Sequence, residues 1–170
     1  MTKSRCFATN FPKEFGKEDM EKIFEKYPDL LKDTINKKEK SISYLIKQIH
    51  CNPELPEYNN IYIPNISRNF IKVSDGEKFI YQQKKCVIKE LIEDKQRILE
   101  DYVDKNGEKL GNKLLKLYDA YSNYVDENDE NMKDVEEKIT CLLLNMKDVI
   151  EKNEKDRINY KLLENDLLEI

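Results

Sequence analysis

The sequence predicts a mainly helical α+β fold, in which a small antiparallel sheet packs on helices and a long coiled-coil-like helix completes the chain. Three observations predict it. Of 170 residues only four are glycine and none is tryptophan, while Lys, Glu, Leu and Ile abound, a composition that favours helix. Residues patterned like strands are confined to one middle stretch, from Ile61 to Tyr81. From Met132 onward, apolar residues return in steps of three and four to the end of the chain. The predicted organisation is an N-terminal helical arm over 1–40, an α+β core module over 41–125, and a long helix over 126–170 devoted to association.

Met1 to Phe15 carries the breakers Asn10 and Pro12, with Gly16 just beyond, and reads as an arm. Phe7, Phe11 and Phe15 repeat at equal intervals along it and give it a means of packing down. Lys17 to Tyr27 reads as a helix. Met20, Ile23, Phe24 and Tyr27 share a face, and Glu18-Asp19 suit the positive end of its dipole. Pro28-Asp29 interrupts it. Leu30, Leu31 and Ile35 start a second short helix, followed by a charged run from Lys37 to Lys40 that reads as a solvated link.

Ser41 to His50 is an amphipathic helix by the spacing of Ile42, Leu45, Ile46 and Ile49, with Ser41 as its expected N-cap. Asn52-Pro53 ends it, because the residue before a proline is pushed out of the helical region. Pro53 and Pro56 stiffen the connector that follows. Ile61 and Ile63 flank Tyr62 in a strand pattern closed by Pro64, which lacks the amide of a central strand and so predicts an edge. Phe70 to Val73 and Lys78 to Tyr81 then flank Ser74-Asp75-Gly76-Glu77 and predict a hairpin. A two-residue turn would set Ile71 opposite Ile80 and Val73 opposite Lys78.

The segment LIKQIHCNPELPEYNNIYIPNISRNFIKVSDGEKFI resembles a module of uncharacterised proteins of giant DNA viruses of the mimivirus type. The matching pieces are Leu45-Ile46, Ile49-His50, Asn52-Pro53, Pro56-Glu57, Asn60-Ile61, Pro64-Asn65-Ile66, Lys72-Val73 and Asp75-Gly76, within Tyr44 to Tyr102. In that family the module often follows a Cys/His zinc finger. Here no finger precedes it, and Phe79 stands where the resemblance would place a tryptophan. The resemblance implies a viral protein acting in the host cytoplasm or viral factory, or packaged in the virion. It supplies no catalytic residues.

Beyond the hairpin, Val87, Ile88, Leu91, Ile92, Ile98, Leu99 and Val103 form a helical stripe that should cover one face of the sheet, and Asn106-Gly107 predicts its end. Leu110, Leu114, Leu117, Tyr118, Tyr121 and Val125 make the next helix, and Asp126 to Asn131 an acidic link. The final stretch carries the heptad seam: Met132, Val135, Ile139, Leu142, Met146, Val149, Asn153, Asp156, Tyr160, Leu163, Leu167 and Ile170. Leu143 and Ile150 widen the stripe in its first half, which fits packing on the preceding helices and leaves the tail after Asn153 as the part expected to meet another chain. Asn153 falls at a seam position where asparagine typically fixes register and strand number. A helix of that length would reach about 60 Å, too long for a small domain to cover.

Net charge is −4, and the excess is at the acidic C-terminal end, which argues against general binding of polyanions. No apolar run is long enough to span a bilayer and no signal-like segment opens the chain, so a soluble intracellular protein without a membrane role is expected. Cys6, Cys51, Cys86 and Cys141 are scattered and expected to remain free thiols. His50, Cys51, Cys86 and Cys6 lack the close pairing of zinc ligands, and His50 and Cys51, adjacent on one helix, point about 100° apart, a poor base–nucleophile pair. His50 is expected to close a helix end by bonding the loop backbone. The acidic clusters Glu127 to Glu130 and Glu136-Glu137 read as solvated helix surface. No glycine-rich phosphate loop is present.

No enzyme, cofactor or metal is therefore expected. The leading expectation is a protein-interaction scaffold that forms a homo-oligomer, a dimer in first instance, through Met132, Val135, Ile139, Leu142, Met146, Val149, Asn153, Tyr160, Leu163 and Leu167, and presents its loop and hairpin to a viral or host protein. The alternative is a nucleic-acid-associated regulator. Arg68, Lys72, Lys78, Lys84 and Lys85 would attract the backbone, beside Tyr62, Phe70, Phe79 and Tyr81 as stacking rings.

Overall fold

The structure, a computed structural model, describes residues 10–168. It has the expected mainly helical α+β architecture. Helices α1 (Met20–Lys26), α2 (Leu30–Asn36) and α3 (Ser41–His50) lead to strands β1 (Ile61–Tyr62), β2 (Phe70–Ser74) and β3 (Phe79–Gln83). Helices α4 (Lys84–Asn106), α5 (Gly111–Glu127) and α6 (Asp129–Leu168) follow. The sheet is antiparallel in the order β1-β2-β3. Helix α4 packs on β2, β3 and α3, whereas α6 runs along β1, α3 and α5. One apolar core joins Ile23, Leu31, Ile46, Ile71, Leu91, Tyr121 and Leu143, so all three stretches of chain contribute to a common interior.

Several element boundaries follow from local chemistry. Asp19 caps α1 by accepting the Lys22 amide at 3.2 Å. Gly107 takes φ +39° as the chain leaves α4, at the break that Asn106-Gly107 predicts. Ser41 does not act as an N-cap. A 3-10 turn over Lys38–Lys40 runs directly into α3, so Ser41 is already helical, buried, and bonded back to the Lys38 carbonyl. The acidic link also shrinks to Asn128, whose extended backbone separates α5 from α6 while its side-chain oxygen accepts the Glu130 amide at 2.9 Å.

The hairpin register differs from that of a two-residue turn. Val73 pairs with Ile80, Ile71 with Gln82 and Lys72 with Tyr81, two positions from the expected partners. The cause is Asp75. Its carboxylate accepts the amides of Glu77 and Lys78 at 2.9 and 2.8 Å, which opens a four-residue loop closed by the Asp75 amide on the Lys78 carbonyl. Gly76 provides the φ of +96° that this loop requires. Because the shift is by two, each side chain keeps its face. Ile61, Ile71 and Val73 turn to the core; Tyr62, Lys72, Phe70 and Tyr81 lie on the other side.

Strand β1 is an edge of the sheet, and α6 covers its open side. The Ile63 amide donates to the Leu143 carbonyl of α6 at 3.1 Å, which satisfies a donor an edge strand would otherwise leave over. The N-terminal segment packs down as its phenylalanines predict. Phe15 N–H donates to Ser74 O at 2.9 Å, Ser74 Oγ donates to Pro12 O at 2.8 Å, and Phe11 stacks on Phe79 with centroids 5.3 Å apart. Phe7 and Cys6 fall outside the described residues.

Candidate functional site

Three places in the fold carry chemistry or unsatisfied surface. The first is a buried polar knot behind the hairpin. His50 ends α3 with no exposure and directs Nδ1 at Tyr58 O (3.1 Å) and Asn60 Oδ1 (2.8 Å). Both partners are acceptors, so Nδ1 carries the proton and the neutral ring leaves Nε2 as a buried acceptor without a partner. Asn60 Nδ2 in turn donates to Lys13 O and Glu18 Oε1 at 3.2 and 3.0 Å. Lys95 of α4, also fully buried, donates to Asp94 at 3.0 Å. Burial, reinforced by the Lys95 charge, pulls the His50 imidazole down to about 4. At Glu18, desolvation pushes upward but is outweighed by the imidazole once it takes its proton at low pH, by the Lys95 charge and by the Asn60 amide, so the carboxyl lies below its ordinary range.

This knot ties the N-terminal segment, α3, the turn before β1 and α4 together, and its geometry is structural. His50 has no solvent path, and Cys51, half-buried, has its thiol pushed up by burial to about 11, far from a working thiolate. Among the described residues no three His, Cys, Asp or Glu side chains gather as metal ligands. Sequence reasoning anticipated the bond from His50 to the loop backbone but missed Glu18, Asn60 and Lys95. Only Lys95 left a signal. It falls on the α4 stripe four residues from both Leu91 and Leu99, where an apolar side chain would be expected.

The second place is the far end of α6. This helix is continuous over forty residues, about 60 Å. Its seam divides. Val135, Ile139 and Met146 are buried in the body of the same chain, and Met132, Leu142 and Asn153 are half-buried there. Met132, Val135, Ile139, Leu142 and Met146, included in the expected association seam, are therefore not free for another chain: β1, α3 and α5 occupy this first half, with Leu143 and Ile150 completing the buried face. Further along the seam, Val149 is 45% exposed, Tyr160 46%, Leu163 62% and Leu167 72%, while Ile170 falls outside the described residues. Arg157 marks the junction, buried with its guanidinium 4.9 Å over the Phe11 ring. From Ile158 to Leu168 no side chain is buried.

The third place is the outer face of the hairpin. On the β1 side, Tyr62 packs edge-on to Phe79 at 5.3 Å beneath Met146 and Ile150. Phe11 also covers Phe79 at the start of β3, and the face is open only at its other end. Phe70 and Tyr81 stand 49% and 63% exposed, with ring centroids 6.5 Å apart, and Lys72 Nζ lies 4.9 Å from the Tyr81 ring. A groove of about 650 Å³ opens beside Phe70, lined by Asn69, Gln83, Lys84, Lys85 and Ile88 and walled by Glu136 and Thr140 of α6. Of the five basic candidates, Lys72, Lys84 and Lys85 therefore gather around these rings, with Arg68 on the loop entering β2. Lys78 does not, because it sits at the hairpin tip, about 20 Å of strand away from Lys84.

A second groove of similar size lies between α3 and α6, with Lys47 and Lys138 beside Glu137 and Asp134. Its charges are mixed, and Lys138 already pairs with Asp134 at 2.9 Å. No helix among the described residues is long and apolar enough to cross a membrane. Comparison with known proteins brings no relative to this arrangement: no family model, no curated protein and no solved structure matches the chain.

Proposed function

We propose that this chain is a non-enzymatic interaction module that self-associates, in the simplest case as a dimer, through the exposed end of α6. One observation carries the reading. Ile158, Tyr160, Leu162, Leu163, Leu167 and Leu168 are all solvent-exposed large apolar side chains, concentrated in the one part of the fold that its own body does not touch. A helical segment this short has little stability of its own in water, and a heptad ridge is self-complementary, which makes a second copy its natural cover. Asn153, half-buried where the ridge leaves the body, would set the register of the pair. Of the connector and the hairpin, the exposed corner at Pro53 and Glu54 and the hairpin tip from Gly76 to Lys78 then remain for an unidentified viral or host protein. A role in infected cytoplasm, in the viral factory or in the virion rests on the motif resemblance to giant-virus proteins.

Light scattering of the full chain over a concentration series tests the proposal. A mass near twice 20.3 kDa is expected, falling to the single-chain value when Leu163→Asp and Leu167→Asp are combined. A wild-type protein that stays at the single-chain mass at high concentration would overturn it.

A further inference from the structure

The uncovered half of the hairpin asks for a ligand of its own, independent of the α6 end. Phe70 and Tyr81 are held on a rigid sheet and packed edge to face, so neither ring is available to the core. Exposed aromatic rings on a sheet have two common uses: covering by another apolar surface, or stacking against a planar ligand. Charge separates them here. From Ser67 to Lys85 the chain carries Arg68, Lys72, Lys78, Lys84 and Lys85 against only Asp75 and Glu77, a net of +3 in a protein whose total is −4. Four of these cations lie at the Phe70 end or on the ring face itself. Both acidic residues lie in the hairpin loop at the opposite end.

The groove beside Phe70 adds a place for the charged part of such a ligand. Lys84 and Lys85 begin α4 and line this groove, so their ammonium groups border the space, while the Lys84 amide is already bound to the Asn69 carbonyl at 2.8 Å. Glu136 stands on the far wall, and Glu151 and Glu154 lie near Tyr62 on the covered side. A polyanion is thereby steered away from α6 and toward the Lys84 side. An acidic peptide would use the cations but does not bring an aromatic face on every unit, as a single strand of nucleic acid does. A duplex hides its base faces.

We infer that the outer face of β2 and β3 binds single-stranded nucleic acid, with bases against Phe70 and Tyr81 and phosphates at Lys72, Arg68, Lys84 and Lys85. Stacking tolerates any base, so the site is sequence-tolerant, and the few phosphate contacts make it modest in strength and salt-sensitive.

Fluorescence anisotropy of the full chain with labelled twenty-nucleotide oligo-dT and oligo-U, from low to moderate salt, reads this out. Binding is expected, with log affinity against log salt falling at a slope of about −3 for four phosphate contacts. Combining Phe70→Ala with Tyr81→Ala should weaken binding roughly tenfold or more. Lys84→Glu with Lys85→Glu should weaken it and flatten the slope. All four side chains lie at the surface or groove, and an unchanged thermal melt shows that the fold is intact. The Leu163→Asp, Leu167→Asp variant should bind with unchanged intrinsic affinity, which separates this site from the self-association reading. No binding at high micromolar protein, equal affinity for a duplex, or full binding by the ring variant would overturn the inference. So would capture of poly-glutamate in place of the oligonucleotides, which would assign the face to acidic protein.

Discussion

The stretch 129–150 of α6 and the stretch 158–168 obey the same spacing rule and meet opposite environments. In the first, Val135, Ile139, Leu143, Met146 and Ile150 are buried against β1, α3 and α5; in the second, Tyr160, Leu163 and Leu167 face water. Apolar periodicity specifies that a helix has a face to cover. It does not specify whether the cover is the same chain or another. The difference arises because the body ends before the helix does. A strict seven-residue repeat also drifts by about 20° per heptad around a straight helix, so the inward line and the outward ridge part company along its length.

The largest expected effect tests the buried half. Leu143 has no exposed surface and sits where the β1 edge meets α6. Leu143→Ala should cost about 3 kcal/mol of unfolding free energy in urea, because the cavity cannot close between two fixed elements. Leu163→Ala, the same chemical change in the other half, should leave the unfolding of the single chain unchanged. Equal losses would erase the distinction between the halves.

A comparable effect should follow from pH, and it belongs to the body alone. His50 stays neutral in the fold down to about pH 4, whereas in the unfolded chain it takes its proton near the ordinary value of 6.5. Between these values the unfolded state binds more protons, so stability is fully present above pH 6.5 and is lost as pH falls toward 4. The loss over the whole window is roughly 3 kcal/mol. Glu18, below its ordinary value of 4.5 in the fold, adds a loss in the same direction at still lower pH. His50 is the only histidine, so His50→Gln should flatten the slope between pH 5 and 6.5 in a denaturation series. A slope that survives the substitution would place the titrating group elsewhere.

The junction between the halves should respond more weakly. Phe11→Ala removes both the ring beneath Arg157 and the stacking on Phe79, and an expected loss of about 1–2 kcal/mol follows from a partly desolvated cation–π contact and an aromatic pair. Hydrogen exchange should show the added opening around 150–157, with the sheet protected as before. Opening of the whole of α6 instead would mean that the helix is anchored at that point alone.

Much of this division was legible in the sequence, and the exceptions share a cause. The Ser41–His50 helix, the stop at Asn106-Gly107 and the long final helix all follow from local spacing and breakers, which act within a turn or two of chain. The hairpin register escaped because one side chain, Asp75, chose a four-residue loop over a two-residue one. Asn128 needed a single extended residue where six polar residues suggested a linker. The knot of Glu18, His50, Asn60 and Lys95 joins positions up to 77 residues apart, and no pattern local to any of them announces the others. For the outward ridge, the spacing placed its start after Asn153, and the last side chain of the helix that the body buries is Arg157.

The smallest effect on folding is expected where the effect on association is greatest. Leu163 and Leu167 touch nothing in the body, so Leu163→Asp with Leu167→Asp should change single-chain unfolding by less than about 0.5 kcal/mol. The same variant should abolish any rise of Tm with protein concentration, because a second copy that binds only the folded state stabilises it by mass action. Wild-type protein should show that rise and the Leu143→Ala variant should keep it at a lower Tm. A ridge without a partner predicts instead that Tm is flat with concentration in all three proteins, since exposed leucines that cover nothing have no stability to lose.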